Sequence, residues 1–291
     1  MQRLDGRSLA AQLQRQLAQR VHELKQQQKP VPHLAAILVG DDAASRTYVK
    51  AKIKACAEIG INSSLIHFDQ DVSEQTLIKK ICDLNNDPTV HGILLQLPLP
   101  GHLNAAAVMA TIAPEKDVDG FHVVNAGKLL KGMPAPLPAT PYGILLLLQH
   151  YRVPTEGKHC VIVGRSDIVG RPLSILLSRN AYPGNCTVTL CHSKTQDLAA
   201  HCRCADLLVA AIGKPNFITA DMVKPGAVVI DVGINRIADS PNPLGYRLVG
   251  DVDFERVAPL CSYITPVPGG VGPMTIAALL LNTFHLAGYP L

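Results

Sequence analysis

A lysine within an apolar helical face is the first feature of this sequence that suggests chemistry. Residues 45–60 (SRTYVKAKIKACAEIG) predict an amphipathic helix, and at about 100° per residue Lys52 lies in the middle of its apolar arc. Tyr48 lies one turn before Lys52 and Cys56 lies one turn after it. Such a lysine either extends to solvent along its apolar stem or places its amine in a cleft, where an apolar setting lowers its pKa. The helix alone leaves both interpretations open, and the solvated lysine is the commoner case.

The composition is that of a globular protein with a mild positive charge. A chain of 291 residues suggests two domains, although one large domain stays open. Hydrophobic residues make up 47% of the chain and charged residues 17%, and the net charge is +4. Lysine and arginine are scattered, with no polybasic run, which argues against nucleic-acid binding. A weak positive field suits a small anionic ligand.

No segment of the sequence predicts a membrane span or an export signal. The longest apolar run, residues 143–148, is too short to cross a bilayer, and the N-terminal segment has no apolar signal core. Eight dispersed cysteines in such a chain favour reduced thiols, so we expect a cytoplasmic protein. His201, Cys202 and Cys204 fit no common zinc spacing, so we interpret these cysteines as core residues and expect no metal.

Strand and helix patterns alternate through the first half of the chain. Strands are predicted at 33–40, 62–68 and 90–97, and helices at 8–28, at 45–60 and from about Asp71 through Leu84. Asp71 and Glu74 form a predicted capping box for the third helix. This alternation predicts an α/β domain whose parallel sheet has helices on both faces.

Polar residues follow the predicted strands at the edge where parallel sheets bind ligands. Gln96 lies at the end of an otherwise apolar strand, and the loop before the Lys52 helix reaches the same edge. Asp117 and Asp119 stand two residues apart in a turn. From composition alone, turn formation is the expected role of these two aspartates, and a ligand role stays open.

The second half of the chain begins after a proline-rich segment. Residues 132–140 (GMPAPLPAT) resemble a domain linker, and Thr140 and Pro141 suit the N-cap and first position of a helix. The strand 159–164 then leads into the glycine turn GRSDIVGRP (164–172), which departs from GxGxxG because Ser166 replaces the second glycine and the last glycine comes one residue late. Further strands at 187–190, 207–212 and 227–232 predict a Rossmann-like domain.

The loop after the strand 187–190 indicates the cofactor. An NAD-preferring site usually carries an acidic residue there, whereas this chain offers Cys191-His192-Ser193-Lys194, with Arg165 in the first glycine turn. A hydroxyl, an imidazole and cations would accept a 2′-phosphate, which favours NADP. Residues 231–235, including Ile234, end a later strand and are expected to border the nicotinamide half of the site.

A second glycine-rich loop precedes the last predicted helix. Residues 265–275 (TPVPGGVGPMT) suggest a loop whose backbone approaches a ligand. The same residues can also form a tight connection back to the first domain, and the two roles are compatible. Pro273 suits the first position of the helix that follows.

Together these segments resemble the family of bifunctional methylenetetrahydrofolate dehydrogenase/methenyltetrahydrofolate cyclohydrolases. The resemblance covers essentially the whole chain and rests on the order and spacing of nine segments. They are YVKAKIKAC (48–56), GILLQLPLP (92–100), PEKDVDG (114–120), TPYGI (140–144), VIVGRSDIVGRP (161–172), TVTLCHSKT (187–195), IDVGIN (230–235), GDVDF (250–254) and TPVPGGVGPMT (265–275). Ala43 and Ala139 stand where the family usually has proline and cysteine, and neither position is expected to carry chemistry.

The resemblance implies a fold and a reaction. It implies an α/β catalytic domain over residues 1–139 that is completed by the C-terminal helix 273–291, and a Rossmann-like NADP-binding domain over residues 140–272. The implied reaction, in one cleft between the domains, oxidises 5,10-methylenetetrahydrofolate with NADP⁺ and hydrolyses the product to 10-formyltetrahydrofolate. This places the chain in one-carbon metabolism and purine biosynthesis. A homodimer joined through the nucleotide domains is also implied, and a formyltetrahydrofolate synthetase domain is not expected.

The resemblance also implies site residues. Lys52 would be the central catalytic group, Gln96 would hydrogen-bond it, Tyr48 would pack on the folate and Asp119 would bind the pterin. Gly269 and Gly270 would line the folate site. The cofactor-binding residues would be Gly164, Arg165, Ser166, Ser193 and Ile234.

Two other functions stay open at this point. A shikimate-dehydrogenase-like enzyme also pairs a lysine-bearing domain with a Rossmann domain, but the Gln96, Asp119 and 265–275 motifs argue against it. A dinucleotide-binding regulatory or scaffold protein that has lost its chemistry is disfavoured because Tyr48 and Lys52 are present with Gln96 and Asp119.

Overall fold

A computed structural model describes residues 1–239 and 245–289. The chain divides into two compact units, and the boundaries fall within the helices α1, α6 and α10, whose ranges are given below. One unit comprises residues 11–139 and 276–291 and is called the three-stranded unit below. The other comprises residues 1–10 and 140–275 and is called the six-stranded unit. The last two residues of the predicted domain segment 273–291 lie outside the described residues.

The strands and helices alternate along most of the chain. The strands are β1 (Gln2–Arg3), β2 (His33–Val39), β3 (Asn62–Phe68), β4 (Gly92–Leu95), β5 (His159–Val163), β6 (Thr187–Cys191), β7 (Leu207–Ala210), β8 (Val228–Asp231), β9 (Asn235–Ala238), β10 (Tyr246–Val249) and β11 (Tyr263–Ile264). The helices are α1 (Gly6–Gln26), α2 (Ala43–Ile59), α3 (Glu74–Asn86), α4 (Ala105–Thr111), α5 (Val123–Leu130), α6 (Ala139–His150), α7 (Gly170–Ser178), α8 (Leu198–Arg203), α9 (Phe254–Val257) and α10 (Val271–Leu286).

The three-stranded unit contains a parallel sheet in the order β3-β2-β4. The central strand β2 is apolar without alternation, and its residues Leu34 to Ile37 are fully buried. Burial of successive residues means that both faces of the strand are covered, which is the arrangement typical of parallel sheets. The predicted parallel sheet and its three strands are therefore confirmed.

Helix α2 is fixed at both ends by local sequence. The Asp42 side chain accepts a hydrogen bond from the Ser45 backbone N–H at 2.8 Å, which caps the first turn. Gly60 ends the helix in the left-handed region at φ +81°, where glycine is favoured. The helix therefore begins two residues before the predicted start at Ser45.

The six-stranded unit contains a parallel sheet in the order β1-β11-β8-β7-β5-β6, with an antiparallel hairpin formed by β9 and β10. Strand β5 pairs with both β6 and β7, so the strand order reverses at β5. In open α/β sheets, ligands bind beyond the carboxyl ends of the strands at such a reversal. The predicted Rossmann-like sheet is confirmed, whereas the short strands β1 and β11 and the β9-β10 hairpin were not expected from the sequence.

Three predicted helix starts were wrong. Ser73, not the predicted Asp71–Glu74 box, caps α3, because its hydroxyl accepts from the Thr76 N–H at 3.1 Å. Thr140 is the second residue of α6, which begins at Ala139, so it is not an N-cap. Its hydroxyl instead pairs with that of Thr275 at 3.0 Å. Pro273 is likewise the third residue of α10, which begins at Val271.

The cysteine cluster was only partly interpreted correctly. Cys202 is fully buried in the core of the six-stranded unit, whereas Cys204 is exposed at the end of α8 and is not a core residue. Among the residues that the structure describes, no group of three or more histidine, cysteine, aspartate or glutamate side chains could hold a metal ion. Within the same ranges, no helix has the length and apolar character needed to cross a membrane.

Candidate functional site

The three-stranded unit brings Lys52 against Gln96. Lys52 is partly buried on α2, and its Nζ donates to Gln96 Oε1 at 3.3 Å. Gln96 directly follows β4, and its backbone N–H donates to the Ile37 carbonyl at 2.9 Å, which continues the sheet ladder. Its Nε2 donates to the Leu97 carbonyl at 2.7 Å. This last bond orients the amide so that its oxygen faces the amine.

Asp119 is the acidic group of the same neighbourhood. Burial raises its pKa to about 6, while the charge of Lys52 lowers this pKa and the charge of Asp117 raises it. The charges of Lys52 and Asp119 therefore interact electrostatically. At neutral pH Asp119 is therefore mostly ionised, and it gains a proton under mildly acidic conditions.

Asp117 has a structural role beside Asp119. It is 4% exposed, and its Oδ2 accepts from the His122 N–H at 2.8 Å and from Asn125 Nδ2 at 3.0 Å. These bonds hold the turn that presents Asp119. Turn formation, expected from composition for both aspartates, therefore describes Asp117.

Tyr48 does not belong to the buried face of α2. The buried residues of this helix are Ser45, Val49, Ala55, Cys56 and Ile59, whereas Tyr48 is 45% exposed. An exposed ring one helical turn before Lys52 is available to a flat ligand. Cys56, one turn after Lys52, is fully buried, and burial raises the pKa of its thiol to about 12, so it stays protonated.

In the six-stranded unit, the predicted glycine turn follows β5 directly. A Cβ at Gly164 would overlap the carbonyl oxygen of Ala211, and a Cβ at Gly170 would overlap the carbonyl oxygen of Gly164. The late glycine therefore lets α7 sit directly on the turn, as the last glycine of a GxGxxG turn does. Ser166 Oγ accepts from the Val169 N–H at 3.2 Å and so stabilises the start of the helix.

The loop after β6 presents the groups expected to select the cofactor. Ser193 is exposed, and the flanking His192 is held by two bonds. The His192 N–H donates to Thr195 Oγ1 at 2.8 Å, and its Nδ1 accepts from the Lys194 N–H at 3.1 Å. Arg165 is also exposed, at the end of the neighbouring strand β5. Hydroxyl and guanidinium groups at adjacent strand ends can bind a phosphate together.

Ile234 and the glycine loop border a small cavity. Residues 232–234 and 266–273 line a cavity of about 110 Å³, and the Ile234 side chain is 42% exposed. Gly269 has a φ of +112°, and its carbonyl accepts from the Arg7 N–H at 2.9 Å. The Gly270 N–H donates to the Pro266 carbonyl at 2.8 Å. The loop is therefore shaped by internal bonds, with no side chain at two successive positions.

The burial of two carboxylates was not expected from the sequence. Asp231 ends β8 with 2% of its surface exposed, and Asp251 follows β10 with none exposed. Burial raises the pKa of Asp231 to about 7, although three backbone N–H donors oppose this. The sequence feature that could have indicated these aspartates is a glycine close to each of them, in DVG (231–233) and in GD (250–251).

The family models decide the family of the chain. The catalytic domain of tetrahydrofolate dehydrogenase/cyclohydrolase matches residues 4–119, and its NAD(P)-binding domain matches residues 138–289. The chain belongs to the tetrahydrofolate dehydrogenase/cyclohydrolase family. The predicted fold class is confirmed with it, as a two-domain α/β protein with a catalytic and an NAD(P)-binding domain.

Individual relatives support membership of the tetrahydrofolate dehydrogenase/cyclohydrolase family over the full length. The bifunctional protein FolD of Amoebophilus asiaticus is 58% identical over 284 residues, which are 98% of this chain and 95% of the relative. The crystal structure of the bifunctional FolD from Campylobacter jejuni superposes with a TM-score of 0.93 at 48% identity, covering 99% of both chains. The Trypanosoma brucei FolD, which was crystallised with NADP and an inhibitor, superposes with a TM-score of 0.91 at 38% identity, covering 97% of this chain and 95% of that one.

Proposed function

We propose that this protein oxidises 5,10-methylenetetrahydrofolate to 5,10-methenyltetrahydrofolate with NADP⁺ and then hydrolyses the product to 10-formyltetrahydrofolate. The observation that carries the proposal is the 3.3 Å contact between the Lys52 amine and the Gln96 amide oxygen, with Asp119 in electrostatic reach. Family membership supplies the reaction class. Both alternatives, a shikimate-dehydrogenase-like enzyme and a protein without chemistry, lose their support.

Lys52 is assigned as the general base of the hydrolytic step. The folate becomes cationic when it loses hydride, so a permanently charged lysine beside it would oppose oxidation. An unprotonated fraction of Lys52 can take a proton from the attacking water as a general base. The Gln96 oxygen holds the amine in one direction, since it accepts from Nζ while its own amide is fixed by the Leu97 carbonyl.

Asp119 and Tyr48 bind the substrate in this proposal. The pterin edge is rich in N–H donors, and an ionised carboxylate accepts two of them side by side. The exposed ring of Tyr48 packs on the folate. Gly269 and Gly270 are also assigned to folate binding, on the resemblance to the family.

The residues of the six-stranded unit fit NADP. A side chain at Gly164 would overlap the Ala211 carbonyl oxygen, so the turn keeps a bare backbone at this position, as a dinucleotide site requires. The exposed Arg165 and Ser193 suit the 2′-phosphate of NADP. When bound, NADP⁺ supplies the acceptor for the hydride of the methylene carbon. Ser166 is assigned to the phosphates, and Ile234 is assigned to the nicotinamide half.

The domain boundaries follow the same proposal. We assign folate chemistry to residues 1–139 with the helix 273–291, and cofactor binding to residues 140–272. The side chain of Asn282 on α10 supports the return of this helix, because it donates to the carbonyls of Val118 and Leu137, both at 2.8 Å. The compact units differ from these boundaries at the N-terminus, where residues 1–10 group with the six-stranded unit.

Three further assignments rest on narrower support. A homodimer joined through the nucleotide domains and a role in purine biosynthesis rest on resemblance to the family. A cytoplasmic location is supported by the eight cysteines, which are all free thiols. Gel filtration with light scattering tests the dimer.

A two-stage assay tests the proposed function. The purified chain is incubated with 5,10-methylenetetrahydrofolate and NADP⁺, and NADPH and methenyltetrahydrofolate are followed by absorbance. Isolated methenyltetrahydrofolate is then supplied without cofactor, and its hydrolysis is followed above the spontaneous rate. We expect both activities. Absence of NADP⁺-dependent oxidation, or hydrolysis at only the spontaneous rate, would contradict the proposal.

A further inference from the structure

The buried carboxylates Asp231 and Asp251 form a contact that the proposed reaction does not use. The Asp251 backbone N–H donates to Asp231 Oδ1 at 2.9 Å. We infer that this pair positions the two loops bordering the nicotinamide half of the cofactor site, and that NADP-dependent oxidation requires it although neither carboxylate touches a substrate. The inference rests on the proposed function and adds positioning residues to it.

Asp251 holds the loop that follows β7. Its Oδ2 accepts from the backbone N–H groups of Ile212 at 2.7 Å and Gly213 at 3.0 Å. Its Oδ1 accepts from the Lys214 N–H at 2.8 Å and from Asn235 Nδ2 at 3.0 Å. Four donors use the acceptor capacity of a carboxylate, so the side chain is committed to this loop.

Asp231 holds the loop that follows β8. Its Oδ1 accepts from the Gly233 N–H at 3.0 Å, and its Oδ2 accepts from the Val252 N–H at 3.0 Å. Its own backbone N–H donates to Thr265 Oγ1 at 2.7 Å. Asp231 therefore ties the residues after β8 to the segment that carries Asp251, and the two loops become one connected structure.

Two glycines make this close arrangement possible. A Cβ at Gly233 would overlap the carboxyl group of Asp251, and a Cβ at Gly250 would overlap that of Asp231. Each carboxylate therefore lies against a backbone position that accepts no side chain. A buried carboxylate with so many backbone partners keeps the loops from relaxing, because each lost partner would leave a buried polar group unpaired.

The two loops lie where the cofactor is expected. They follow β7 and β8 at the carboxyl edge of the sheet, and β7 is the neighbour of β5, which leads into Gly164. Ile234, in the loop held by Asp231, is exposed and borders the 110 Å³ cavity. A shift of about 1 Å in a surface that positions a reacting group can lower a rate roughly 100-fold.

Asp251→Asn tests the inference in the full-length protein. The amide turns an N–H group toward backbone N–H donors, so at least one bond to residues 212–214 is lost. We expect the KM for NADP⁺ to rise about tenfold and the kcat of oxidation to fall, while hydrolysis of methenyltetrahydrofolate stays within about twofold. Hydrolysis uses no cofactor, and circular dichroism of the same sample checks that the six-stranded unit, which contains Asp251, is folded.

Asp206→Asn is the matched control. Asp206 also accepts a backbone N–H, that of His159 at 3.0 Å, together with the amine of Lys224 at 2.7 Å. His159 begins β5, so this carboxylate lies at the amino edge of the same sheet. The KM of Asp206→Asn for NADP⁺ should equal that of the unsubstituted protein. Equal effects of the two substitutions, or an unchanged KM in folded Asp251→Asn, would overturn the inference.

If Asp251→Asn does not fold, a milder variant tests the inference instead. Asn235→Ala removes one of the four donors to Asp251 and keeps the carboxylate. We expect its KM for NADP⁺ to rise about threefold, and an unchanged value would overturn the inference. NADPH affinity measured by fluorescence titration separates this result from the proposed function, because it needs no folate. If the unsubstituted protein binds NADPH but oxidises no folate, the proposed function fails while the loop-positioning claim is judged by affinity alone.

Discussion

The amine of Lys52 lies 3.3 Å from the amide oxygen of Gln96, across 44 positions of sequence. One group comes from the middle of α2 and the other from the first residue after β4. The sheet register connects them, since the Gln96 N–H continues the β2-β4 ladder at the Ile37 carbonyl. The position of the lysine amine therefore depends on a residue that is held in the sheet ladder.

Replacing Lys52 by methionine should remove the general base while keeping the volume of the side chain. We expect hydrolysis of methenyltetrahydrofolate to fall by a factor on the order of 10² to 10⁴, with weaker oxidation and nearly unchanged NADPH binding. The control is Lys54→Met, because Lys54 is exposed on the same helix and only pairs with Glu58 at 3.6 Å. Hydrolysis by Lys52→Met at the rate of the unsubstituted protein would contradict the assignment of Lys52 as the general base.

Asp119 should make substrate binding sensitive to mild acid. Its pKa is raised to about 6, chiefly by burial, so the carboxylate is present above that pH and is lost as the pH falls through it. Because only the ionised form accepts two pterin N–H groups, the KM for the folate should rise as the pH drops below about 6. Asp119→Asn should show a high KM at every pH. A pH-independent KM for the unsubstituted protein would contradict the assignment.

Burial also predicts the effect of Asp119→Asn on stability. The pKa of the Asp119 carboxyl is higher in the folded protein than in the unfolded chain, so ionisation of Asp119 disfavours folding at neutral pH. The asparagine variant should therefore unfold at an equal or higher temperature than the unsubstituted protein at neutral pH. This advantage should shrink as the pH falls below about 6, where the carboxyl is already protonated. Thermal unfolding followed by circular dichroism measures both outcomes.

Replacing Ser193 by aspartate should reverse the cofactor preference. A carboxylate at this strand end repels a 2′-phosphate and can accept bonds from a ribose hydroxyl. We expect kcat/KM for NADP⁺ to fall about tenfold or more, which corresponds to about 1.4 kcal/mol, while the value for NAD⁺ is kept or raised. Ser178→Asp, at the end of α7, controls for an added charge on the same unit. Equal use of both cofactors by the unsubstituted protein would count against the NADP assignment.

The capping residue of α3 can be tested by stability alone. Ser73→Ala should lower the free energy of unfolding by about 0.5–2 kcal/mol, because the Thr76 N–H loses its acceptor. Asp71→Ala should change it by no more than about 0.5 kcal/mol, since Asp71 is exposed and precedes the cap. Urea unfolding of both variants measures the difference, and a larger effect at Asp71 would restore the predicted capping box.

Local patterns predicted the elements well and their ends less well. Strand β2 was predicted at 33–40 and lies at His33–Val39, because an apolar run between turn residues defines a buried strand. The starts of α3, α6 and α10 were misplaced, because several neighbouring residues can cap a helix and tertiary contacts choose among them. The strands β1 and β11 were missed because two residues carry no periodicity.

The sequence by itself determined the alternating α/β order, the glycine turn after β5, the absence of an acidic residue after β6 and the motifs of the family. Only the tertiary structure decided that Tyr48 is exposed, that Gln96 accepts from Lys52, and that Asp231 and Asp251 share one buried network. The physical reason is the range of the forces involved. Periodicity, capping and turn formation act over a few residues, whereas burial, desolvation and carboxylate hydrogen bonds depend on groups that the chain brings together from distant positions.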